Sequence, residues 1–309
     1  MKKLINYLKI TLTTNQLLII TCCYIALVLN LPFLNKVTAA IVSLDNYSVL
    51  FLLSVPIFLL SLTIIIQGVF SFRWITKPIL ILSVVSSALI FYATVTYGIV
   101  FDYGMVQNTV ETDTAEAFSY FNIYSILFFT LFGLLPSVLI YQVKLTYKPF
   151  FGELLTRLKL ISISFGVAFL IGAFFYSNYA AVGRNNKDVI SYITPYKMID
   201  STIKFIKRHY FYPPLKFKVL DTAPLIVRDN SSKHVTVMVL GETARAQSFS
   251  LNGYDKPTNQ FTDKLNIVSF SNMSSCGTAT AVSVPCMFSR LNKDNYDKRI
   301  ATSQQNAVD

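Results

Sequence analysis

Two short stretches carry the side chains best suited to chemistry. The first is Gly241-Glu242-Thr243-Ala244-Arg245, directly after an apolar run from His234 to Leu240. The second is Ser275-Cys276-Gly277-Thr278-Ala279-Thr280-Ala281-Val282-Ser283-Val284-Pro285-Cys286. A carboxylate where a strand gives way to a tight turn has its backbone fixed and its oxygens free. From there Glu242 can ligate a metal, form a salt bridge or start a helix. In the second stretch Gly277 allows a sharp turn, and the Thr-Ala-Val sequence can open a helix whose first N–H groups face an anion. A hydroxyl there stands beside a phosphate site, although threonine at neutral pH needs a metal or a base to act as a nucleophile. Capping of the helix by Thr278 or Thr280 is the other reading of the same residues.

Strands must hold these groups in place. His234 to Leu240 is short, β-branched and apolar on both faces, which predicts a central strand of a buried, mainly parallel sheet. A second strand is expected at Ile267 to Phe270. In open α/β sheets the reactive groups gather at the carboxyl ends of such strands, where both motifs fall. Glycine-rich phosphate loops are absent from the sequence, so nucleotide hydrolysis has no support.

The rest of the chain points to a membrane. Hydrophobic residues make up 53% of the 309 and charged residues only 14%, more apolar surface than one water-soluble core could hide. Five apolar runs near 16–34, 47–71, 77–100, 120–143 and 158–180 have spanning length. Lys2, Lys3 and Lys9 precede the first run as in a signal peptide, but no small-residue cleavage site follows, so it reads as a retained anchor. The net charge of +11 is spread along the chain and forms no basic patch interleaved with aromatics, so no nucleic-acid partner is expected.

Positive charge marks the cytoplasmic connections. Those holding Arg73 and Lys77, and then Lys144, Lys148, Arg157 and Lys159, are placed inside with the N-terminus. The connection with Asp102, Glu111, Asp113 and Glu116 is placed outside, and so is everything after about residue 181. The domains read from the sequence are five spans over 1–181, an amphipathic interfacial helix and linker over 182–232, and the start of an α/β domain over 233–309. The amphipathic stretch sets Ile190, Ile199, Ile203 and Ile206 against Lys197, Lys204, Lys207 and Arg208, and can lie among lipid headgroups or pack as an ordinary linker helix. Outside the cytoplasm disulfides are possible, and pairing Cys276 with Cys286 would close a short loop worth about 3 kcal/mol, the alternative being two buried thiols. Cys22 and Cys23 read as small apolar residues of the first span.

Taken together, GETAR, the segment Asn252-Gly253-Tyr254-Asp255-Lys256-Pro257-Thr258-Asn259 and SCGTATAVSVPCMFS resemble the catalytic signature of the lipid A phosphoethanolamine transferases, a branch of the alkaline phosphatase and sulfatase fold. The resemblance implies that Thr280 is the nucleophile that becomes phosphorylated, that Glu242 and Thr280 bind zinc, and that Cys276 and Cys286 form a disulfide. It extends to Gln107–Ala117, where Asn108, Thr112 and Glu116 match residues that hold the ethanolamine-bearing substrate. Residues four apart share a helix face, so the three could meet a cationic headgroup; apart from the resemblance, a solvated acidic loop explains them. Lys256 departs from the arginine of many relatives, keeping the charge and losing the planar fork.

The family's other zinc ligands, an aspartate and histidines, have no counterpart before Asp309, so the resemblance implies a C-terminally truncated member. His209 and His234 are poorly placed to replace them. A catalytic zinc normally takes three protein ligands, and Glu242 with Thr280 makes two, so weak binding by this chain alone is expected. The expected fold is a five-helix transmembrane domain followed by part of a periplasmic α/β domain, in a monomer of the bacterial inner membrane. The implied reaction moves phosphoethanolamine from phosphatidylethanolamine to a lipid A phosphate, which lowers the membrane's attraction for polymyxin-like peptides. Two alternatives are an inactive remnant or lipid-binding membrane protein, and the same chemistry on a core sugar of lipopolysaccharide.

Overall fold

The computed structural model of the chain describes residues 10–43, 47–112, 122–213, 215–223, 235–241, 244–270 and 272–308. They divide into two compact units, Met1–Phe211 and Tyr212–Asp309.

The first unit runs β1 (Thr11–Thr13), α1 (Thr14–Leu29), α2 (Leu31–Val42), α3 (Val49–Phe70), α4 (Thr76–Tyr97), α5 (Tyr103–Glu111), α6 (Ile123–Gln142), β2 (Lys144–Thr146), α7 (Phe150–Phe174), α8 (Tyr176–Asn185) and α9 (Tyr196–Ile206). Among the described residues α3, α4, α6 and α7 are each long and apolar enough to cross a membrane, and α1 with α2 makes a further candidate bent by 58°. No more than 39% of any of the four spanning windows is buried within the protein, so most of their apolar surface faces outward, as lipid tails require.

The bend has a local cause. The last turn of α1, Ile25–Leu29, is widened to a π turn, and Pro32 in the first turn of α2 has no N–H to continue the ladder. Asn30, fully buried between them, is held by the backbone of Ile25 and Thr194.

Two larger apolar clusters hold the bundle, with a smaller one of Leu18, Cys22 and Ile64 between α1 and α3. Leu17, Ile25 and Leu29 of α1 meet Leu80, Val84, Ala88 and Phe91 of α4 and Ile140 of α6. On the other side of α1, Ala26 joins Phe33, Val37 and Ile41 of α2, Phe51, Val55 and Leu59 of α3, and Val182 and Val189 beyond α7. α3 and α7 pack closely; a Cβ at Gly68 would meet Ile161 Cγ1 at 3.0 Å. β1 and β2 pair in parallel, Leu12 opposite Leu145, joining the start of the bundle to the entrance of α7.

Two expectations are corrected in this unit. α7 begins at Phe150, well before the run expected at 158–180, and so takes in Arg157 and Lys159, which the charge pattern places in a connection. Arg157 is tolerated because it is buried and fully engaged: Nε donates to Asn15 Oδ1 at 2.8 Å, one terminal nitrogen to Ser71 O at 2.7 Å and the other to Glu153 Oε1 at 3.4 Å. The amphipathic stretch is also broken, by Asn186 and Pro195, into α8, a 3-10 turn at Val189–Tyr192, and α9. α9 buries Ser201 and Phe205 and leaves Ile199, Ile203 and Ile206 exposed. Its first residue, Tyr196, reaches Gln67 of α3, whose Nε2 lies 3.5 Å from the phenol oxygen and donates to Ser83 Oγ of α4 at 2.7 Å.

Among the described residues of the second unit the α-helices are α10 (Thr280–Phe288) and α11 (Lys298–Ala301). The chain is closed by main-chain bonds from Lys218 N–H to Ser303 O at 2.8 Å and from Gln305 N–H to Lys218 O at 2.9 Å. The strands expected at His234–Leu240 and Ile267–Phe270 are not formed among the described residues; Val235, Val239 and Val268 are more than 80% exposed. A parallel strand exists only through ladder bonds to neighbours, and no described segment pairs with either run.

Candidate functional site

Thr280 is the first residue of α10 and is exposed, after Ala279 in extended conformation. The Ala279 carbonyl accepts from the N–H groups of Val282 and Ser283, both at 2.9 Å, which fixes the first turn. The hydroxyl thus sits at the positive end of a helix, where an approaching phosphate is favoured. Ala279 has no side-chain hydroxyl with which to cap the helix, and Thr278, also exposed, precedes it.

The turn leading to Thr280 is tightly built. A Cβ at residue 277 would lie 2.9 Å from Val282 Cγ1, so only glycine lets the loop fold onto the helix. Ser275 Oγ donates to Gly277 O at 2.6 Å and accepts from Gly277 N–H at 3.3 Å. Cys276 and Cys286 are disulfide-bonded with Cα atoms 6.4 Å apart, tying the loop before Thr280 to the far end of α10.

Arg245, at the end of GETAR, donates to Gln247 Oε1 at 2.7 Å. Glu242, the expected metal ligand, lies outside the described residues, as does His234. The following loop folds back on itself. Ser250 Oγ donates to Asn259 Oδ1 at 3.3 Å and accepts from Asn259 N–H at 3.1 Å, while Thr258 Oγ1 donates to Ser248 O at 2.7 Å. Gly253 turns this loop with φ of 93°, a left-handed conformation that suits glycine. The sequence marked Asn252–Asn259 only as part of a signature; the glycine flanked by Asn, Asp, Pro and Thr was a signal for a side-chain-braced turn.

In the first unit, Asn108 lies on α5 and Thr112 closes it. Asp102 caps the start of α5 by accepting from Met105 N–H at 2.9 Å, and Thr112 Oγ1 donates to Asn108 O at 2.6 Å. Thr112 is in extended conformation, so the helical face expected to carry Asn108, Thr112 and Glu116 in one row ends at Thr112. Glu116 lies outside the described residues. α5 packs on α9 through Tyr103 and Phe205, and the Arg208 guanidinium lies 4.9 Å from the centre of the Tyr103 ring. His209 stacks on Phe205, an aromatic packing role.

Among the described residues no three His, Cys, Asp or Glu side chains gather as a metal site.

Outward-facing helices of spanning length, followed by a second unit in which a disulfide braces the helix that starts at Thr280, define a protein of membrane type with two units. A family model described as phosphoethanolamine transferase EptA/EptB matches residues 59–210, and a sulfatase family model matches residues 234–307. The chain is 33% identical to phosphoethanolamine transferase EptA of Escherichia coli K12, covering 94% of this chain and 54% of the relative. It is 36% identical to phosphatidylethanolamine transferase Mcr-1 of Escherichia coli, covering 91% and 52%. Among solved structures it matches the integral membrane protein lipooligosaccharide phosphoethanolamine transferase A of Neisseria meningitidis with a TM-score of 0.86 at 32% identity, over 96% of this chain and 56% of that one. By these matches the chain is similar to phosphoethanolamine transferases along most of its own sequence, and it spans about half the length of the relatives it matches.

Proposed function

We propose that the protein transfers phosphoethanolamine from phosphatidylethanolamine to a lipid A phosphate, with Thr280 as the group that carries it in between. In the first step Thr280 Oγ bonds to the phosphorus, the bond to diacylglycerol breaks, and the hydroxyl proton ends on the released diacylglycerol. In the second step an oxygen of a lipid A phosphate bonds to the phosphorus, the bond to Thr280 Oγ breaks, and the proton lost by the attacking phosphate restores the Thr280 hydroxyl. The observation that carries this reading is the exposed Thr280 side chain at the first turn of α10, in a loop fixed by the Cys276–Cys286 disulfide.

Glu242 and Thr280 are the residues of this chain proposed to hold zinc, which when bound would stabilise the alkoxide form of the threonine. Asn108, Thr112 and Glu116 are proposed to receive the ethanolamine end of the donor. The reading includes five spans, with α1 and α2 forming one, the N-terminus in the cytoplasm, and residues after α7 on the periplasmic side of a bacterial inner membrane, in a monomer. Lys144 and Lys148 beside β2, against Asp102 and Glu111 around α5, support that orientation.

Lipid A extracted from an expressing, polymyxin-sensitive strain tests the reaction. The expected result is lipid A with added phosphoethanolamine and raised polymyxin tolerance, both lost in Thr280→Ala. Phosphoethanolamine found only on core sugars, or unmodified lipid A, contradicts the acceptor or the reaction.

A further inference from the structure

A cavity of about 480 Å³ opens between the end of α3, the turn into α4 and the first turns of α7. Its walls are apolar, formed by Val69, Phe72, Phe150, Leu154, Leu158 and Ile161. Its charges are uneven. Arg73 and Lys148 stand on it, Arg157 lines it from the protein interior, and Glu153 is the one carboxylate among the lining residues. Glu153 is already engaged: its carboxylate accepts from the hydroxyl of Thr14, from Arg157 and from the Lys148 N–H. Among the described residues Arg73 and Lys148 have no carboxylate partner; the Arg73 guanidinium lies 5.0 Å from the centre of the Tyr147 ring. Trp74, 84% exposed, stands beside them with Phe150, also exposed.

We propose that this cavity binds one anionic phospholipid, its acyl chain along the apolar wall between α3 and α7 and its phosphate against Arg73 and Lys148. Three features support that occupant. The wall is lined as a hydrocarbon chain requires, and it lies at the end of two spanning helices, where a bilayer lipid has its headgroup. Exposed Trp74 and Tyr147 at the mouth are of the aromatic types enriched at the headgroup level. Two cations without a carboxylate partner, Arg73 and Lys148, select a net negative headgroup over a zwitterionic one, since each basic side chain near the surface adds attraction to anionic lipid, while Arg157 is taken up by Glu153. The site is independent of the Thr280 chemistry, because all of its residues belong to the first unit.

Native mass spectrometry of the full chain in detergent tests the proposal, with phosphatidylglycerol and phosphatidylcholine as competing probes and inorganic phosphate as a third arm. The expected result is one retained phosphatidylglycerol, bound in preference to phosphatidylcholine and not displaced by inorganic phosphate. Arg73→Ala with Lys148→Ala should weaken phosphatidylglycerol by roughly 30-fold and leave phosphatidylcholine unchanged. Leu158→Trp, which keeps every charge and fills the wall, should weaken both lipids. Equal retention of the two lipids by the wild type, displacement by inorganic phosphate, or an unchanged preference in the double variant overturns it.

Discussion

Asn30 and Thr194 exchange two buried hydrogen bonds: Asn30 Nδ2 donates to Thr194 O at 2.9 Å, and Thr194 N–H donates to Asn30 Oδ1 at 2.8 Å, across 164 residues of sequence. The pair fastens the bend between α1 and α2 to the segment that leads into α9. Asn30→Ala would leave a buried N–H and a buried carbonyl without those partners, each loss costing about 1–3 kcal/mol. A clear fall in Tm in detergent is expected, and an unchanged Tm would contradict the fastening role.

Arg157 and Glu153 form the charged centre of the α1, α3 and α7 contact. Removing only the cation leaves a partly buried carboxylate, so Arg157→Met is expected to cost about 3–5 kcal/mol. The double variant Arg157→Met with Glu153→Gln should be more stable than Arg157→Met alone. A double-mutant cycle on thermal unfolding reads this, and additive losses would mean that the two side chains act separately.

The Cys276–Cys286 bridge is predicted to hold the turn before Thr280. Cys276→Ser should release the loop constraint, worth about 3 kcal/mol on the chain-entropy model. Hydrogen exchange is expected to rise over residues 277–284 and to stay unchanged in α1–α7. Equal protection in both forms would show that Gly277 and the Ser275 turn suffice.

Asp200 on α9 accepts from Lys204 Nζ at 2.8 Å and from Lys197 Nζ at 3.5 Å. The Lys204 hydrogen bond is the chief cause holding its carboxyl below the ordinary value of 3.8. A depressed carboxylate stabilises the folded state above its unfolded pKa, and that contribution is lost as pH falls through the folded value. Exchange in α9 should therefore increase only below about pH 3.8, and Asp200→Asn should show the increase already at neutral pH, by a small amount because the pair is exposed. No difference between Asn and Asp at neutral pH would contradict this.

The bundle was legible because membrane spans announce themselves: α3 and α4 fall within a few residues of their apolar runs. The start of α7 was hidden by Glu153 and Arg157, whose charges resemble a connection until their partners on α1 and after α3 are seen. The disulfide, too, could be read, because residues ten apart on a short loop meet easily. The strand before Glu242 misled for a physical reason. β-branched apolar runs state a preference, but ladder partners decide whether a strand exists, and partners come from elsewhere in the chain. The row of Asn108, Thr112 and Glu116 assumed that α5 continues, and the extended backbone at Thr112 ends it.

Whether the Thr280 hydroxyl accepts the phosphoryl group is read by peptide mass spectrometry after incubating the protein with phosphatidylethanolamine and zinc. The mass of phosphoethanolamine is expected on Thr280 and absent from Thr280→Ala; lipid A modified while Thr280 stays bare, or the added mass on Thr278 or Ser283 instead, would contradict that role.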